Sequence, residues 1–171
     1  MKRRGPVVSS IKEVSSSVAF EQEIVALLPR LRRLARVLAR DVATADDLVQ
    51  IAVERALSRK DQWRPGTRLD AWVMRIMKNA WIDETRSRAR WGKVVEPEDA
   101  GLSVADQADH TDAMAISQAM ARLPDEQRLA VALVLVDGLS YAEAADVLEI
   151  PPGTLNSRLV RGRMALMEAL A

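Results

Sequence analysis

The sequence contains no cysteine, which excludes disulfide bonds and thiolate metal sites. Its single histidine, His110, has no second imidazole nearby with which to build a catalytic or zinc-binding centre. Aromatic side chains are limited to four Trp, one Tyr and one Phe. We therefore expect a protein that is not an enzyme and that holds neither a metal nor a cofactor.

Long hydrophobic runs are also absent. No apolar segment approaches the roughly 18 residues that a membrane-spanning helix needs. Serine and charged residues interrupt the beginning of the chain, where a signal peptide would have its hydrophobic region. These absences predict a soluble, cytoplasmic protein with no membrane partner.

The apolar residues present are mainly Ala, Leu and Val at helical spacing. They recur three and four positions apart, as at Leu27, Leu31 and Leu34, and the alternation typical of β-strands is missing. We predict an all-α fold of two small helical domains joined by an acidic linker. The predicted units are a flexible arm over residues 1–19, a domain over 20–91, the linker over 92–110 and a second domain over 111–171.

Local signals give the expected helix boundaries. Thr44 with Asp47 three residues later resembles a capping box, and the Pro65–Gly66 pair predicts a loop. Pro124 is expected at the first position of its helix. The predicted helices span residues 20–40, 44–60, 69–88, 111–122 and 124–136.

The net charge is only +1, but the charges are unevenly distributed. Basic side chains outnumber acidic ones between Arg75 and Lys93, whereas residues 94–121 contain no Lys or Arg. A basic segment favours a nucleic-acid contact, although such a run is commonly just solvated. Trp81 is expected on the side of its helix that lies opposite the core stripe, beside Lys78, where its ring would stack on a base or contact a partner. The alternative is that Trp81 lies on the surface or packs against another helix.

Residues 137–163 have the pattern of a helix-turn-helix. Ser140 and Glu143 form a predicted capping box for a short helix, and Pro151–Gly153 separates it from a second helix. The core side of the second helix carries Leu155, Leu159 and Leu166. The side away from the core carries Asn156, Ser157, Val160 and Arg161. Amide and guanidinium groups there can contact bases, so DNA binding is favoured over an ordinary hairpin with a solvated basic end.

These segments together resemble the group IV, extracytoplasmic-function (ECF) sigma factors of bacterial RNA polymerase. Ala45–Gln50 is similar to the family's core-binding motif, and Trp72–Asp83 is similar to its promoter-melting helix. Leu123–Arg128 and Asp137–Glu143 lead into the recognition helix as in the family's C-terminal domain. The resemblance covers nearly the whole chain, and residues 28–35 and 63–67 are similar to the EcfG-like general-stress branch.

The resemblance implies an initiation factor whose domains, sigma regions 2 and 4, direct polymerase to promoters and assist melting. Its implied partners are core RNA polymerase (the clamp coiled coil of the largest subunit and the flap), promoter DNA and an anti-sigma factor. The clamp would be bound by Asp46, Asp47 and Gln50. The downstream (−10) element would be contacted by Trp63, Arg68, Arg75, Lys78, Asn79, Arg86 and Arg88. The upstream (−35) element would be contacted by Thr154, Asn156, Ser157, Arg158, Val160, Arg161 and Arg163.

Two other functions remain open at this point. A sigma-like decoy would bind an anti-sigma factor instead of promoters, and it could dispense with the basic side chains described above. A stand-alone helix-turn-helix repressor would leave Ala45–Gln50 unexplained. The chain departs from the family pattern at Asn156, where many relatives carry a basic residue, and at Gly162, where Ala is usual. We expect this glycine to loosen the second half of the recognition helix.

Overall fold

The computed structural model describes the backbone of residues 6–91 and 110–171 and the side chains of residues 16–91 and 114–171. All regular structure within these ranges is helical, which confirms the predicted all-α class. The α-helices are α1 (Pro6–Leu38), α2 (Val42–Ser58), α3 (Leu69–Arg90), α4 (His110–Arg122), α5 (Asp125–Val131), α6 (Tyr141–Leu148) and α7 (Pro152–Leu170). A 3-10 turn, Lys60–Gln62, follows α2, and a π-helical turn, Ala132–Val136, continues α5. Among the helices described, none is long and apolar enough to cross a membrane.

Helix α1 begins well before its predicted boundary. The apolar period predicted a start at Phe20 and a flexible arm before it, but the helix extends back to Pro6. No Gly or Pro interrupts residues 7–28, and proline is tolerated in a first turn because its missing N–H has no helical partner there. The predicted linker lies outside the described residues except for His110, the first residue of α4.

Two predicted helix caps are also wrong by a few residues. Asp41, not Thr44, caps α2: its carboxylate accepts hydrogen bonds from the backbone N and the hydroxyl of Thr44, each at 2.7 Å. These bonds lower the pKa of Asp41. Pro124 is the N-cap of α5 instead of its first helical residue. Asp and Thr are both common N-cap residues, so the sequence pattern alone left open whether Asp41 or Thr44 caps α2.

The N-terminal domain is a bundle of α1, α2 and α3. Its interior contains fully buried side chains from all three helices: Leu31, Leu38, Ala52, Val73 and Met77. Trp63, in the loop before α3, lies against the ring of Phe20 with the ring centroids 5.4 Å apart. Burial of each large apolar side chain contributes about 1.5–3 kcal/mol, so this bundle is a rigid platform for the polar residues on its surface.

The C-terminal domain contains the predicted helix-turn-helix. Ser140 Oγ accepts from the backbone N of Glu143, and the Glu143 carboxylate accepts from the backbone N of Ser140, which confirms the capping box. Helix α6 ends at Leu148, and α7 begins at Pro152 after a tight turn. The two helices of the motif therefore lie where the sequence predicted them.

Gly162 is a packing residue and not a weak point of α7. It is buried where α7 crosses α5, and a Cβ at this position would lie 2.8 Å from Val131 Cγ2. Contacts this short do not occur between carbon atoms, so only glycine lets the two helices approach to this distance. The expected loosening of the recognition helix is thus offset by the close packing that the glycine permits.

The two domains pack against each other through α1 and α3 on one side and α4, α6 and the π-helical turn on the other. The buried side chain of Arg128 lies at this interface, and its Nη1 donates to the carbonyl oxygen of Leu38 at the end of α1. Buried apolar residues of both domains form one continuous cluster. The described chain therefore forms a closed, two-domain body.

We predict that Gly162→Ala lowers the free energy of unfolding by about 1 kcal/mol. Overpacking against Val131 costs about 1–3 kcal/mol, and the better helix propensity of alanine recovers about 1 kcal/mol of this. Gly153→Ala is the matched control, because a Cβ there meets no atom within 4 Å. Urea unfolding followed by circular dichroism gives both values. A Gly162→Ala protein as stable as Gly153→Ala would show that the helices do not approach this closely.

Candidate nucleic-acid interface

Helix α7 presents the predicted polar face to solvent. Leu155 and Leu159 are buried against the domain core, whereas Asn156, Val160 and Arg161 on the other side are exposed. Ser157 is exposed as well, and its hydroxyl donates to the carbonyl oxygen of Thr154 at 2.9 Å. Side chains that are free of tertiary contacts and share one helix face can enter a DNA groove together.

The remaining predicted residues of α7 lie at the margin of this face. Arg158 is half-buried, and its Nη2 lies 2.8 Å from Glu126 Oε2 of α5. Thr154 is also half-buried, whereas Arg163 is exposed. Arg158 is therefore held by the domain itself, while Arg163 is available for a phosphate contact.

The predicted polymerase-binding residues of α2 form an exposed patch. Asp46, Asp47 and Gln50 all face solvent, and Gln50 Nε2 donates to Glu54 Oε1 at 2.9 Å. A groove between α1 and α2 lies beside them. Its lining residues are Leu28, Arg32, Arg36, Asp46, Val49, Gln50 and Val53. The groove is thus lined by apolar side chains and by charges of both signs, which suits a partner surface that is partly apolar and partly polar.

The loop before α3 holds two of the predicted residues in place. Trp63 is half-buried on Phe20, so its ring is used in packing and is not fully exposed to a base. Arg68 is exposed, and its guanidinium forms ion pairs with Asp70 and with Glu143 of α6. Gly66 has φ +88°, a conformation that glycine adopts without steric cost.

The basic face of α3 is covered by the C-terminal domain. Arg75 Nη2 lies 2.9 Å from Asp146 Oδ2, and Lys78 Nζ lies 2.7 Å from Glu149 Oε2. Lys78 is 5% exposed although it was expected on a polar surface. The hydrogen bond from Lys78 lowers the pKa of Glu149. These two cations are therefore neutralised by acids of the same chain.

The prediction that Trp81 faces a nucleic acid or a partner is wrong. Trp81 is 3% exposed, and its Nε1 donates to the carbonyl oxygen of Leu38 at 3.2 Å. The guanidinium carbon of Arg128 lies 5.8 Å from the centre of its ring, within the range of a cation–π contact. The alternative of packing against another helix is the correct one, because the C-terminal domain covers the side of α3 that lies opposite the first bundle.

Three other predicted residues lie beyond this covered region. Asn79 and Arg86 are exposed on α3. Arg88 is half-buried, with Nε 2.9 Å from Glu84 Oε1 and Nη2 3.4 Å from the Thr44 hydroxyl. Arg86 and Arg88 lie in the last two turns of α3, away from Arg75 and Lys78, whereas Asn79 directly follows Lys78 but is itself exposed.

An ion network that the sequence did not predict joins the two domains. Arg30 of α1 contacts Asp70 at 2.7 Å and Asp137 at 2.8 Å, and the Asp137 side chain is only 1% exposed. Hydrogen bonds from Arg68 and then Arg30 lower the pKa of Asp70 to about 2. Bonding to Asp137 raises the pKa of Arg30. Nothing in the local sequence distinguishes Arg30 from its neighbours Arg32 and Arg33, so pattern alone could not single it out.

Comparisons with known proteins agree with this two-domain geometry. A family model described as sigma-70 region 4 matches residues 113–166, and a model of the sigma2 domain of PhyR matches residues 24–78. The ECF RNA polymerase sigma factor EcfG of Rhodopseudomonas palustris is 35% identical over 159 residues, which cover 89% of this chain and 85% of the relative. The chain belongs to the ECF RNA polymerase sigma factors. It is therefore a sigma factor and not an enzyme.

Other sigma factors are similar to this chain over comparable lengths. The ECF sigma factor SigM of Mycobacterium tuberculosis is 36% identical over 153 residues, covering 89% of this chain and 77% of the relative. The sigma factor RpoE of Bartonella quintana, solved in complex with the anti-sigma factor NepR, matches with a TM-score of 0.79 at 32% identity. That match covers 89% of this chain and 96% of RpoE. The fold of this chain is thus similar to that of RpoE over most of both chains.

We predict that this sigma factor loses stability in acid, because protonation of Asp70 weakens its bonds to Arg68 and Arg30. The carboxyl of Asp70 has a folded pKa of about 2 against an ordinary value of 3.8. The unfolded chain therefore binds more protons in this interval, so stability rises with pH from about 2 to 4 and is lost as the pH falls. Asp70→Asn should flatten this slope in thermal unfolding, while Asp61→Asn in the exposed 3-10 turn should not. Equal slopes in all three proteins would contradict the assignment.

Proposed function

We propose that this sigma factor binds core RNA polymerase and directs it to promoters that carry an upstream (−35) and a downstream (−10) element. The observation that carries this proposal is the solvent-exposed face of α7, which holds Asn156, Val160 and Arg161 clear of all core contacts. A decoy that binds no promoter would have no use for such a face. Because the protein belongs to the ECF sigma factors, core RNA polymerase is the first partner in this proposal.

In this proposal α7 recognises the upstream element. The amide of Asn156 and the guanidinium of Arg161 can each form two hydrogen bonds with a base edge in the major groove. The hydroxyl groups of Ser157 and Thr154 and the cations Arg158 and Arg163 suit phosphates. Val160, exposed between them, is suited to a thymine methyl group.

The N-terminal domain would contact the downstream element. The loop at Trp63 and Arg68, with Asn79, would accept a base flipped out of the duplex; extrusion costs a few kcal/mol, which pocket contacts offset. Arg75, Lys78, Arg86 and Arg88 would bind the strand backbone. Because Arg75 and Lys78 are paired with Asp146 and Glu149 in the closed chain, these contacts require the domains to separate.

Protein partners would bind at surfaces that the closed chain leaves exposed. We assign Asp46, Asp47 and Gln50 to the clamp coiled coil of the largest polymerase subunit, and the C-terminal domain to the flap. The matched structure of Bartonella quintana RpoE contains the anti-sigma factor NepR, which supports an anti-sigma factor as a further partner of this chain.

Run-off transcription with purified core polymerase tests the proposal. We expect initiation from promoters of the matching type with the unaltered chain, and at least a tenfold loss with Asp47→Lys, because charge reversal at an exposed docking residue costs about 1.4 kcal/mol or more. Circular dichroism and thermal unfolding should be unchanged, since Asp47 is exposed. Glu23→Lys, the same charge reversal at an exposed residue of α1, is the control and should leave initiation unchanged. Absence of initiation at every promoter, together with retained binding of an anti-sigma protein, would identify a decoy instead.

The two exposed arginines of α7 should behave differently. Arg161→Ala should cost about 1–3 kcal/mol at one position of the upstream element and relax the preference for its base. Arg163→Ala should weaken binding by a similar factor for all sequences and reduce the salt dependence. Holoenzyme binding to a set of single-base promoter variants at two salt concentrations separates these outcomes. Identical profiles for the two variants would refute base recognition by Arg161.

A further inference from the structure

Rows of opposite charge face each other where the two domains meet. Helix α6 and its C-cap carry acids at every third position, Glu143, Asp146 and Glu149, which places them along one face. The opposing side chains, at the N-cap and along the first half of α3, are basic. Three ion pairs result: Arg68–Glu143, Arg75–Asp146 and Lys78–Glu149. Each of the three acids therefore faces a cation, so the contact between the domains is a set of three ion pairs and not a single accidental contact.

The carboxylates that bind Arg75 and Lys78 could be replaced by other anions. Arg75 contacts Asp146 through Nη2 only, and its buried Nε has no hydrogen-bond partner among the described residues. Lys78 has its ammonium group against the Glu149 carboxylate, which is itself more than half exposed. A phosphate could occupy the same positions and satisfy more of the donors, since guanidinium groups bind such oxygens in pairs.

The backbone of Glu149 gives an independent sign that its side chain matters here. Glu149 has φ +57°, in the left-handed region where helix C-caps usually carry Gly or Asn. A glutamate in this conformation costs free energy that glycine would not. Its carboxylate accepts from Lys78 Nζ at 2.7 Å. The interdomain contact therefore offers a physical reason for an otherwise unfavourable residue.

We propose that the acidic row Glu143–Asp146–Glu149 is an internal mimic of the DNA backbone that covers α3 in the free chain. Promoter DNA and the C-terminal domain would then compete for Arg68, Arg75 and Lys78. This inference rests on the proposed function, since it assumes that these cations bind DNA. The face of α7 with Asn156 and Arg161 stays exposed in the closed chain, so part of the downstream contact is masked and the upstream contact is not.

A fluorescence experiment on the free, full-length chain tests whether the row holds the domains together. Because the chain has no cysteine, Ser58→Cys and Ala169→Cys supply one exposed labelling site in each domain. Asp146→Asn with Glu149→Gln should increase the open population about threefold to tenfold, as expected for the loss of two ion pairs. The control Glu23→Gln with Glu168→Gln removes the same charge from exposed positions and should leave energy transfer unchanged.

Exchanging the charges of Lys78 and Glu149 distinguishes loss of their ion pair from other effects of substitution. Lys78→Glu or Glu149→Lys alone should open the chain, and the two together should restore closure. Glu149→Gly provides a second check, because it relieves the left-handed backbone while removing the carboxylate. It should open the domains without lowering the thermal stability of α6. Closure that survives Glu149→Gly and both single reversals would overturn the inference.

DNA binding by the free chain tests the masking itself. A fluorescein-labelled single-stranded oligonucleotide should bind the Asp146→Asn, Glu149→Gln protein about threefold to tenfold more tightly than the unaltered or control protein. This gain should vanish when Arg75 and Lys78 are both replaced by Gln. A chain that opens without binding DNA more tightly would overturn the mimicry.

Run-off transcription with the same proteins distinguishes failure of this inference from failure of the proposed function. The Asp146→Asn, Glu149→Gln protein should initiate at least as well as the unaltered chain in the holoenzyme. Initiation by both, with no change in energy transfer, would refute the internal mimic and leave the promoter function intact. Absence of initiation by the unaltered chain would refute the promoter function and, with it, the competition proposed here.

Discussion

The buried guanidinium of Arg128 is the constraint on which the closed arrangement depends. It is 5% exposed, and burial lowers its pKa, yet an arginine keeps its charge in proteins. An uncompensated buried charge costs several kcal/mol, so its donors must find acceptors. They bond the carbonyl oxygens of Met120, Ala121, Leu123 and Leu38. Three of these belong to the C-terminal domain and the fourth ends α1, where free helix carbonyls carry partial negative charge.

This arrangement divides the candidate surfaces into two groups. The patch around Asp47 and the face of α7 remain open to solvent, whereas the basic start of α3 is covered by α6. A buried apolar cluster and the Arg30–Asp137 contact hold α6 over the basic side chains of α3. Under the proposed assignments, the polymerase would meet the open surfaces before the chain exposes the side chains proposed for the melted strand. Sequence-independent attraction of free protein to DNA would be reduced accordingly.

Features governed by local chemistry could be predicted from the sequence, and those governed by contacts between domains could not. The Ser140–Glu143 cap, the turn before α7 and the exposed side of α7 follow from residues a few positions apart. Trp81 and Lys78 were placed on a free surface because periodicity gives only a direction around the helix axis, not what packs there. Gly162 was judged by helix propensity alone, whereas its role depends on Val131 on another helix. The start of α1 was missed because its apolar period begins only at Phe20.

Small-angle X-ray scattering of the free, full-length chain measures directly whether the two domains are closed against each other. A closed chain should have a radius of gyration within a few ångströms of the roughly 16 Å expected for a compact body of this length. Arg128→Met should increase it, because the ends of α1 and α4 would lose their shared donor. A pair-distance distribution with two separated maxima for the unaltered chain at low salt would show that the domains are apart and that the closed arrangement is wrong.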